Sequence, residues 1–270
     1  MSGDRRVLFG RMMIIGTAWI VLAYLVIPMV IVIPVSLTDS DYLLLPDKGL
    51  SLQYYERYFS SEKWLWSTYQ SFVIALVSSC LSMIFGTLCA IGCWRISTRL
   101  AEVVRVLMLV PIIVPTIVQA LAMYRFWIQL GLIDTYAGII LAHTLVGIPY
   151  VVVTVSASLA NFDIRLEQAA RNLGASLSQT IRWLIIPRVL PGIAAGGIFA
   201  FALSFDEIVI ALFLTSRKVY TLPKRIWDGI QDNLDPTIAA VATLLIAATL
   251  AILIVKLLLD RNKQTEARST

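Results

Sequence analysis

Long apolar runs alternate with short polar breaks along this chain. The runs cover roughly 12–37, 68–93, 103–126, 137–159, 189–214 and 237–259, and the polar connections fall at 38–67, 94–102, 127–136, 160–188 and 215–236. A helix of about 20 residues crosses the ~30 Å hydrocarbon core of a bilayer. The pattern predicts an all-α, polytopic membrane protein with six transmembrane helices in one domain over 1–270. Arg5, Arg6 and Arg11 precede the first run. That run is too long for a signal-peptide core and closes on no small-x-small cleavage site, so it reads as an uncleaved first span.

Local signals sharpen the pattern. Pro111 and Pro115 sit four apart in the third run. Each removes a helix hydrogen bond, which predicts a kinked or broken helix whose freed carbonyls protein or a cavity must cover. Asp235-Pro236-Thr237 supplies a capping acid and a helix-starting proline, so the sixth span begins there. Gly192, Gly196 and Gly197 put small residues on the fifth span and predict close approach of another helix, as at the subunit interface of a dimer. Segment 38–67 mixes acids with Tyr42, Tyr54, Tyr55, Tyr58, Phe59, Trp64 and Trp66, which read as interfacial anchors or as a docking surface for an external protein.

The break at 160–188 is the most structured polar segment. Asn161 or Asp163 can cap a short amphipathic helix whose apolar members are Ile164, Leu166, Ala170 and Leu173. Gly174 is placed to end it in a left-handed turn. Ser176 and Gln179 form a capping box for a second helix, which Pro187 is expected to stop before the fifth span. The result is a helix–Gly–helix elbow that either lies on the membrane or docks a cytoplasmic partner.

Composition agrees with a membrane class. The chain is 59% hydrophobic and 14% charged, with mean hydropathy +0.82; a soluble domain carries about 25% charged residues. The net charge of +5 reads as topological, not as a nucleic-acid signal. With the N-terminus inside, fourteen Lys and Arg fall on inner segments and eight on outer ones, which favours cytoplasmic termini. The loop 215–236 runs against this with four basic residues of its own. Cys80, Cys89 and Cys93 lie in one apolar run and read as packing residues. No multi-His or paired-Cys metal motif, phosphate-binding Gly-Lys loop or nucleophile elbow is present, so neither a metal site nor catalysis is expected.

Ionisable residues inside a span default to function. Asp206 and Glu207 lie about 8 Å outward of the midpoint of the fifth run at 1.5 Å per residue, and are candidates for a solute path, with Tyr150, Tyr124 or Trp127 as aromatic partners for a cation. His143, the sole histidine, reads as a buried hydrogen-bonding group. An ion-coupled secondary carrier using Asp206, Glu207 and His143 is the competing function.

The elbow resembles the EAA motif of permease subunits of ATP-binding-cassette importers. That motif runs Glu-Ala-Ala, three residues, Gly, nine residues, Ile-x-Leu-Pro. Aligned on Gly174 and Pro187, this chain reads Gln168-Ala169-Ala170, then Gly174, then Leu184-Ile185-Ile186-Pro187, with Glu167 one position before the glutamine. SFDEIVIALFLTS (204–216), YTLPKRIWDGI (220–230) and LDPTIAAVATLL (234–245) look like the spermidine/putrescine-type branch. The resemblance implies the six-helix type I importer fold in a bacterial inner membrane. It makes 163–174 a coupling helix for an ATPase subunit, with Glu167, Gln168, Ala169, Ala170, Arg171, Gly174 and Pro187 in that role. It also implies a second, non-identical permease, two ATPase subunits that bind ATP-Mg, and a periplasmic solute-binding protein. No cofactor is expected in this chain. A small cationic solute would pass Asp206, Glu207, Tyr150 and Thr116, the last standing where some members of the branch carry an acid. A zwitterionic amino-acid derivative or opine-like solute is the alternative.

Overall fold

The computed structural model describes residues 2–47, 49–96, 98–232 and 234–269, with side chains described between 10 and 258. In chain order the helices are α1 (Ser2–Val35), α2 (Gln53–Ser60), α3 (Glu62–Ile96), α4 (Arg99–Ile113), α5 (Thr116–Leu130), α6 (Tyr136–Ala160), α7 (Ile164–Asn172), α8 (Leu177–Thr180), α9 (Ile186–Asp206), α10 (Val209–Leu214), α11 (Leu222–Asp232) and α12 (Thr237–Ser269). No strand occurs among the described residues. Gly10–Val35, Glu62–Ile96, Tyr136–Ala160, Leu177–Asp206 and Thr237–Leu258 are each long and apolar enough to cross a membrane, and α4 with α5 makes a sixth, broken span. The all-α, multi-span class follows directly from the apolar pattern.

The third span breaks where its prolines demand. α4 carries Pro111 within it and ends at Ile113, and α5 starts after Pro115 at an angle of 106°. Proline 115 cannot donate to the carbonyl of Pro111. Gln119 replaces that donor: its Nε2 reaches Pro111 O and Val114 O, both at 2.8 Å. A side-chain amide thus covers the carbonyls that the break exposes.

The fifth span departs from expectation at both ends. Pro187 does not stop the elbow's second helix. A π-helical turn, Ile181–Ile185, joins α8 to α9, so the elbow runs unbroken into the span. The wider turn falls just ahead of Pro187, where a missing N–H would disrupt a regular α-helical ladder. At the other end α9 stops at Asp206. The backbone is extended at Glu207 and resumes as α10, whose Ile210, Ala211 and Leu214 are buried.

Two compact units emerge, 1–65 with 226–270, and 66–225. In the first, α12 packs against α1 and α2. Tyr54, Tyr58 and Trp64 are buried, while Tyr42 and Phe59 are exposed, so part of the aromatic set that reads as interfacial packs inward instead. Tyr54 donates to Ser40 O at 2.6 Å, and Arg57 lies over its ring. Asp235 accepts from Thr237 N at 2.9 Å and so caps α12 as its sequence predicts.

In the second unit the α6–α9 pair is the tightest packing. Gly192 lies against Ser158, Gly196 against Thr154 and Val151, and Gly197 against Met83 of α3. From the other side, Gly86 meets Val151, and Gly147 meets Ser82 and Ala200. These glycines therefore serve packing inside the chain; their surface is covered by α3 and α6, which corrects their assignment to an interface with another subunit. Hydrogen bonds cross the same seam. Ser82 donates to Thr144 O at 3.1 Å, and His143 Nδ1 lies 2.7 Å from Ser204 Oγ, which in turn is 3.0 Å from Ser78 Oγ. The lone histidine is thus the buried hydrogen-bonding group its setting suggests.

Candidate functional site

The elbow has the capping the sequence predicts. Asp163 accepts from Arg165 N at 2.9 Å and starts α7. Gly174 takes φ +89°, a value that L side chains rarely adopt, and turns the chain after Asn172–Leu173. Ser176 and Gln179 form the reciprocal capping box, Ser176 N to Gln179 Oε1 at 2.8 Å and Gln179 N to Ser176 Oγ at 3.3 Å. Ser176, Gly174 and Asp163 fix the shape of the elbow by backbone geometry.

Its surface divides sharply. Gln168, Ala169 and Arg171 are exposed, as are Arg165 and Ile164, and Leu173 is 89% exposed at the tip. Glu167 faces the other way and is 6% exposed. Its Oε1 accepts from Arg95 Nη1 at 2.6 Å. Arg95 stands in the last turn of α3, where a cation also complements the helix dipole. Trp94 and Phe162 meet edge to face at 5.6 Å beside the pair, and Arg188 lies over the Phe162 ring. Trp94, Arg95, Phe162, Glu167, Gln168 and Arg171 line a cleft of about 460 Å³. A charged pair with one buried member holds its partners far more tightly than a surface pair does, because parting them leaves an uncompensated charge.

The acids of the fifth span sit at its break. Asp206 is exposed, and Glu207 is partly buried. Glu207 Oε1 accepts from Ile210 N at 3.1 Å and so caps α10. Phe201 and Phe205 stack one turn before them, and Phe72 of α3 packs edge-on against Phe201. Thr116 is the first residue of α5, directly after the break in the third span, and Tyr150 is partly buried on α6. No hydrogen bond among the described residues joins Thr116 or Tyr150 to the two acids.

A second polar construction lies at the opposite end of α3 from the elbow. Asp134 adopts φ +55°, and its carboxylate accepts four backbone N–H groups: Ser216 (2.8 Å), Arg217 (3.1 Å), Lys218 (3.1 Å) and Val219 (3.2 Å). Burial pulls its pKa upward, but the four donors outweigh that and hold it at about 2, below the ordinary 3.8. Gln70, 1% exposed on α3, donates to Tyr136 Oη (2.7 Å) and Lys218 O (3.0 Å) and accepts from Tyr220 N (2.7 Å). Lys224 donates to Thr215 O at 2.6 Å, Arg225 donates to Ser67 Oγ at 2.7 Å, and both lie over the Tyr220 ring. Two of the four basic residues that complicate the charge pattern thus have structural work within the loop.

Arg95, Asp134 and Gln70 are the residues that sequence reasoning passes over. Nothing local marks them: Arg95 pairs across 72 positions, and Gln70 bonds across 148 to Lys218. The one available signal is a polar side chain placed inside or at the rim of an apolar run.

Several apolar spans, with a braced loop at one end of α3 and a capped elbow at the other, make this a multi-span membrane protein. The chain belongs to the family described as binding-protein-dependent transport system inner membrane component, which matches residues 82–264. Its fold is that of importer permeases: it superposes on a chain of a bacterial ABC transporter involved in the import of the acidic polysaccharide alginate with a TM-score of 0.70, at 15% identity, covering 97% of this chain and 98% of that one. It is 31% identical to the spermidine/putrescine transport system permease protein PotC of Haemophilus influenzae, over 90% of this chain and 95% of that protein. It is 29% identical to PotC of Escherichia coli K12, over 95% and 97% respectively.

Proposed function

We propose that this chain is the permease subunit of an ATP-driven importer for small polyamines of the spermidine/putrescine type. The observation that carries the solute class is the similarity to spermidine/putrescine permeases along nearly the whole chain. The chemistry of the fifth span is consistent with it, since an exposed carboxylate at Asp206 beside the Phe201–Phe205 stack suits a cationic amine. ATP hydrolysis belongs to two partner ATPase subunits, which hold the ATP-Mg. They grip α7 through the exposed face formed by Gln168, Ala169, Arg171 and Leu173, with Gly174 setting its angle. A second, non-identical permease completes the path, and an external binding protein delivers the solute to the end that carries Asp134. Both termini face the cytoplasm, the orientation that the Lys and Arg distribution favours.

Transport then proceeds by gating. Closure of the ATPase pair moves the elbow, the elbow moves α9 through the unbroken helix Leu177–Asp206, and the path opens outward; hydrolysis resets it. The test is uptake of radiolabelled spermidine into proteoliposomes holding the assembled complex. ATP-dependent uptake that survives an uncoupler is expected. Uptake without ATPase subunits that an uncoupler abolishes would establish the ion-coupled carrier instead. ATP-driven uptake of an amino-acid derivative with spermidine excluded would replace the solute class and leave the importer intact.

A further inference from the structure

The elbow is joined to the spans in two ways. One is covalent: α8 continues through the π-helical turn into α9. The other is the ion pair of Glu167 with Arg95. Arg95 ends α3, a single helix of 35 residues, about 50 Å long at 1.5 Å per residue. Twenty-five positions back along the same helix, roughly 37 Å away, Gln70 is bonded to Lys218 and Tyr220 of the braced loop, and neighbouring Ser71 accepts from Leu222 N at 2.7 Å. One rigid rod therefore has the elbow fixed to one end and the loop fixed to the other.

We infer that Arg95 and Glu167 are positioning residues that transmit movement of the elbow to α3, and through it to the loop that Asp134 and Gln70 brace. The pair is built for transmission. Glu167 is buried while Gln168 beside it is exposed, and its carboxylate is engaged within the chain by Arg95. Its short bond crosses from α7 to α3, and the Trp94–Phe162 contact stiffens the same junction. A loose side chain could not carry displacement; a buried, hydrogen-bonded ion pair can, because separating it is costly. Gly197 against Met83 and Gly86 against Val151 lock α3 to α9 and α6 along the way, so the rod and the continuous helix move together.

This inference rests on the importer reading above, and its test separates the two. The assembled importer, with partner permease, ATPase subunits and binding protein, is reconstituted in proteoliposomes, and spermidine uptake and ATP hydrolysis are measured side by side. Glu167→Gln is expected to lower solute moved per ATP about tenfold while hydrolysis stays within about twofold, the size of an ordinary coupling energy. The charge swap, Arg95→Glu with Glu167→Arg, should recover most of that ratio, and Arg95→Lys part of it. A pair that served only to stabilise the elbow would reduce uptake and hydrolysis together and leave the ratio unchanged, which overturns the inference. So does a Glu167→Gln complex as well coupled as the wild type. If Glu167→Gln fails to assemble, the swap and Arg95→Lys decide by the same ratio. Uptake by the wild-type complex that needs no ATP would instead overturn the importer reading itself.

Discussion

Replacing Asp134 by asparagine isolates one electrostatic device and lets its strength be read locally. Oδ1 accepts Ser216 and Val219, and Oδ2 accepts Arg217 and Lys218. Asparagine keeps one carbonyl oxygen and so can serve one pair of donors; its NH₂ must face the other pair, donor against donor. Asparagine also tolerates the left-handed φ of +55°, so the backbone needs no new strain. The native pKa of about 2 against the ordinary 3.8 gives a ceiling of ~2.4 kcal/mol at 1.36 kcal/mol per unit. The carboxylate is partly exposed, and screening by solvent reduces this to ~1–2 kcal/mol. The assay is limited trypsin digestion of the detergent-purified protein, because Arg217 and Lys218 are exposed cleavage sites within the clamped loop. Cleavage through local opening follows the open population, so ~1–2 kcal/mol predicts cleavage about 5- to 30-fold faster at neutral pH. The sign with pH is fixed by the depressed pKa: the stabilisation is fully present above about pH 3.8 and is lost as pH falls toward 2. The gap in thermal stability between wild type and Asp134→Asn should therefore close over that window. Asp134→Gly, which relieves φ but supplies no acceptor, should resemble the asparagine variant. Equal cleavage rates in wild type and Asp134→Asn, or a glycine variant as protected as wild type, would refute the four-donor clamp.

Three further outcomes follow from the packing and the elbow. Gly196→Leu places a side chain against Thr154 and the backbone of Val151, and should destabilise the α6–α9 seam by ~1–3 kcal/mol, read as a lowered midpoint in detergent thermal unfolding. Gly174→Ala meets open space but a forbidding φ of +89°; about 1–2 kcal/mol of strain should reduce ATP-driven uptake while the α6–α9 seam, which Gly174 does not touch, keeps its thermal stability. Asp206→Asn and Glu207→Ala should separate cleanly: loss of the exposed Asp206 charge lowers spermidine uptake at unchanged stability, whereas the Glu207 variant, losing the acceptor that caps α10, lowers thermal stability by ~0.5–1 kcal/mol. Unchanged uptake in Asp206→Asn would remove that residue from the path.

What was legible in the sequence was whatever one segment specifies alone. Apolar length fixes the spans, and Asp163, Ser176, Gln179 and Gly174 fix the elbow, because capping and left-handed turns are decided within a few residues. Pro115 breaks its span for an equally local reason. Pro187 differs because its local rule has two solutions. A proline can end a helix, or the preceding turn can widen; here the widened turn Ile181–Ile185 keeps the helix continuous, and the apolar span on one side and the capping box on the other both favour continuity. The glycines of α9 form the close-approach face that their spacing predicts, but only the fold shows that the approaching helices belong to this chain. Arg95 and Gln70 carry no local signal, since their partners lie 72 and 148 residues away.

The glutamine at 168 and the glutamate at 167 are best understood together. A shift of one residue on a helix turns a side chain by ~100°. Position 168, where the importer motif expects glutamate, lies on the exposed face of α7, while position 167 is buried against α3. The carboxylate therefore stands on the face that holds this chain's own span, and the exposed face carries an uncharged amide in its place. In the docking proposed above, α7 offers shape and apolar contact, chiefly Leu173 at its tip and the Ala169 surface, with the exposed Arg165 and Arg171 as its positive charge. The negative charge is kept for the intramolecular link to Arg95. Separating the two tasks has a mechanical advantage. A single glutamate that paired outward would tie the elbow to the ATPase and leave its hold on the spans to the covalent chain at its ends. With Glu167 turned inward, α7 is fixed at its middle to α3 and is joined through the Gly174 turn to α8, which runs on into α9, so that in the inference above a movement imposed at its exposed face reaches both.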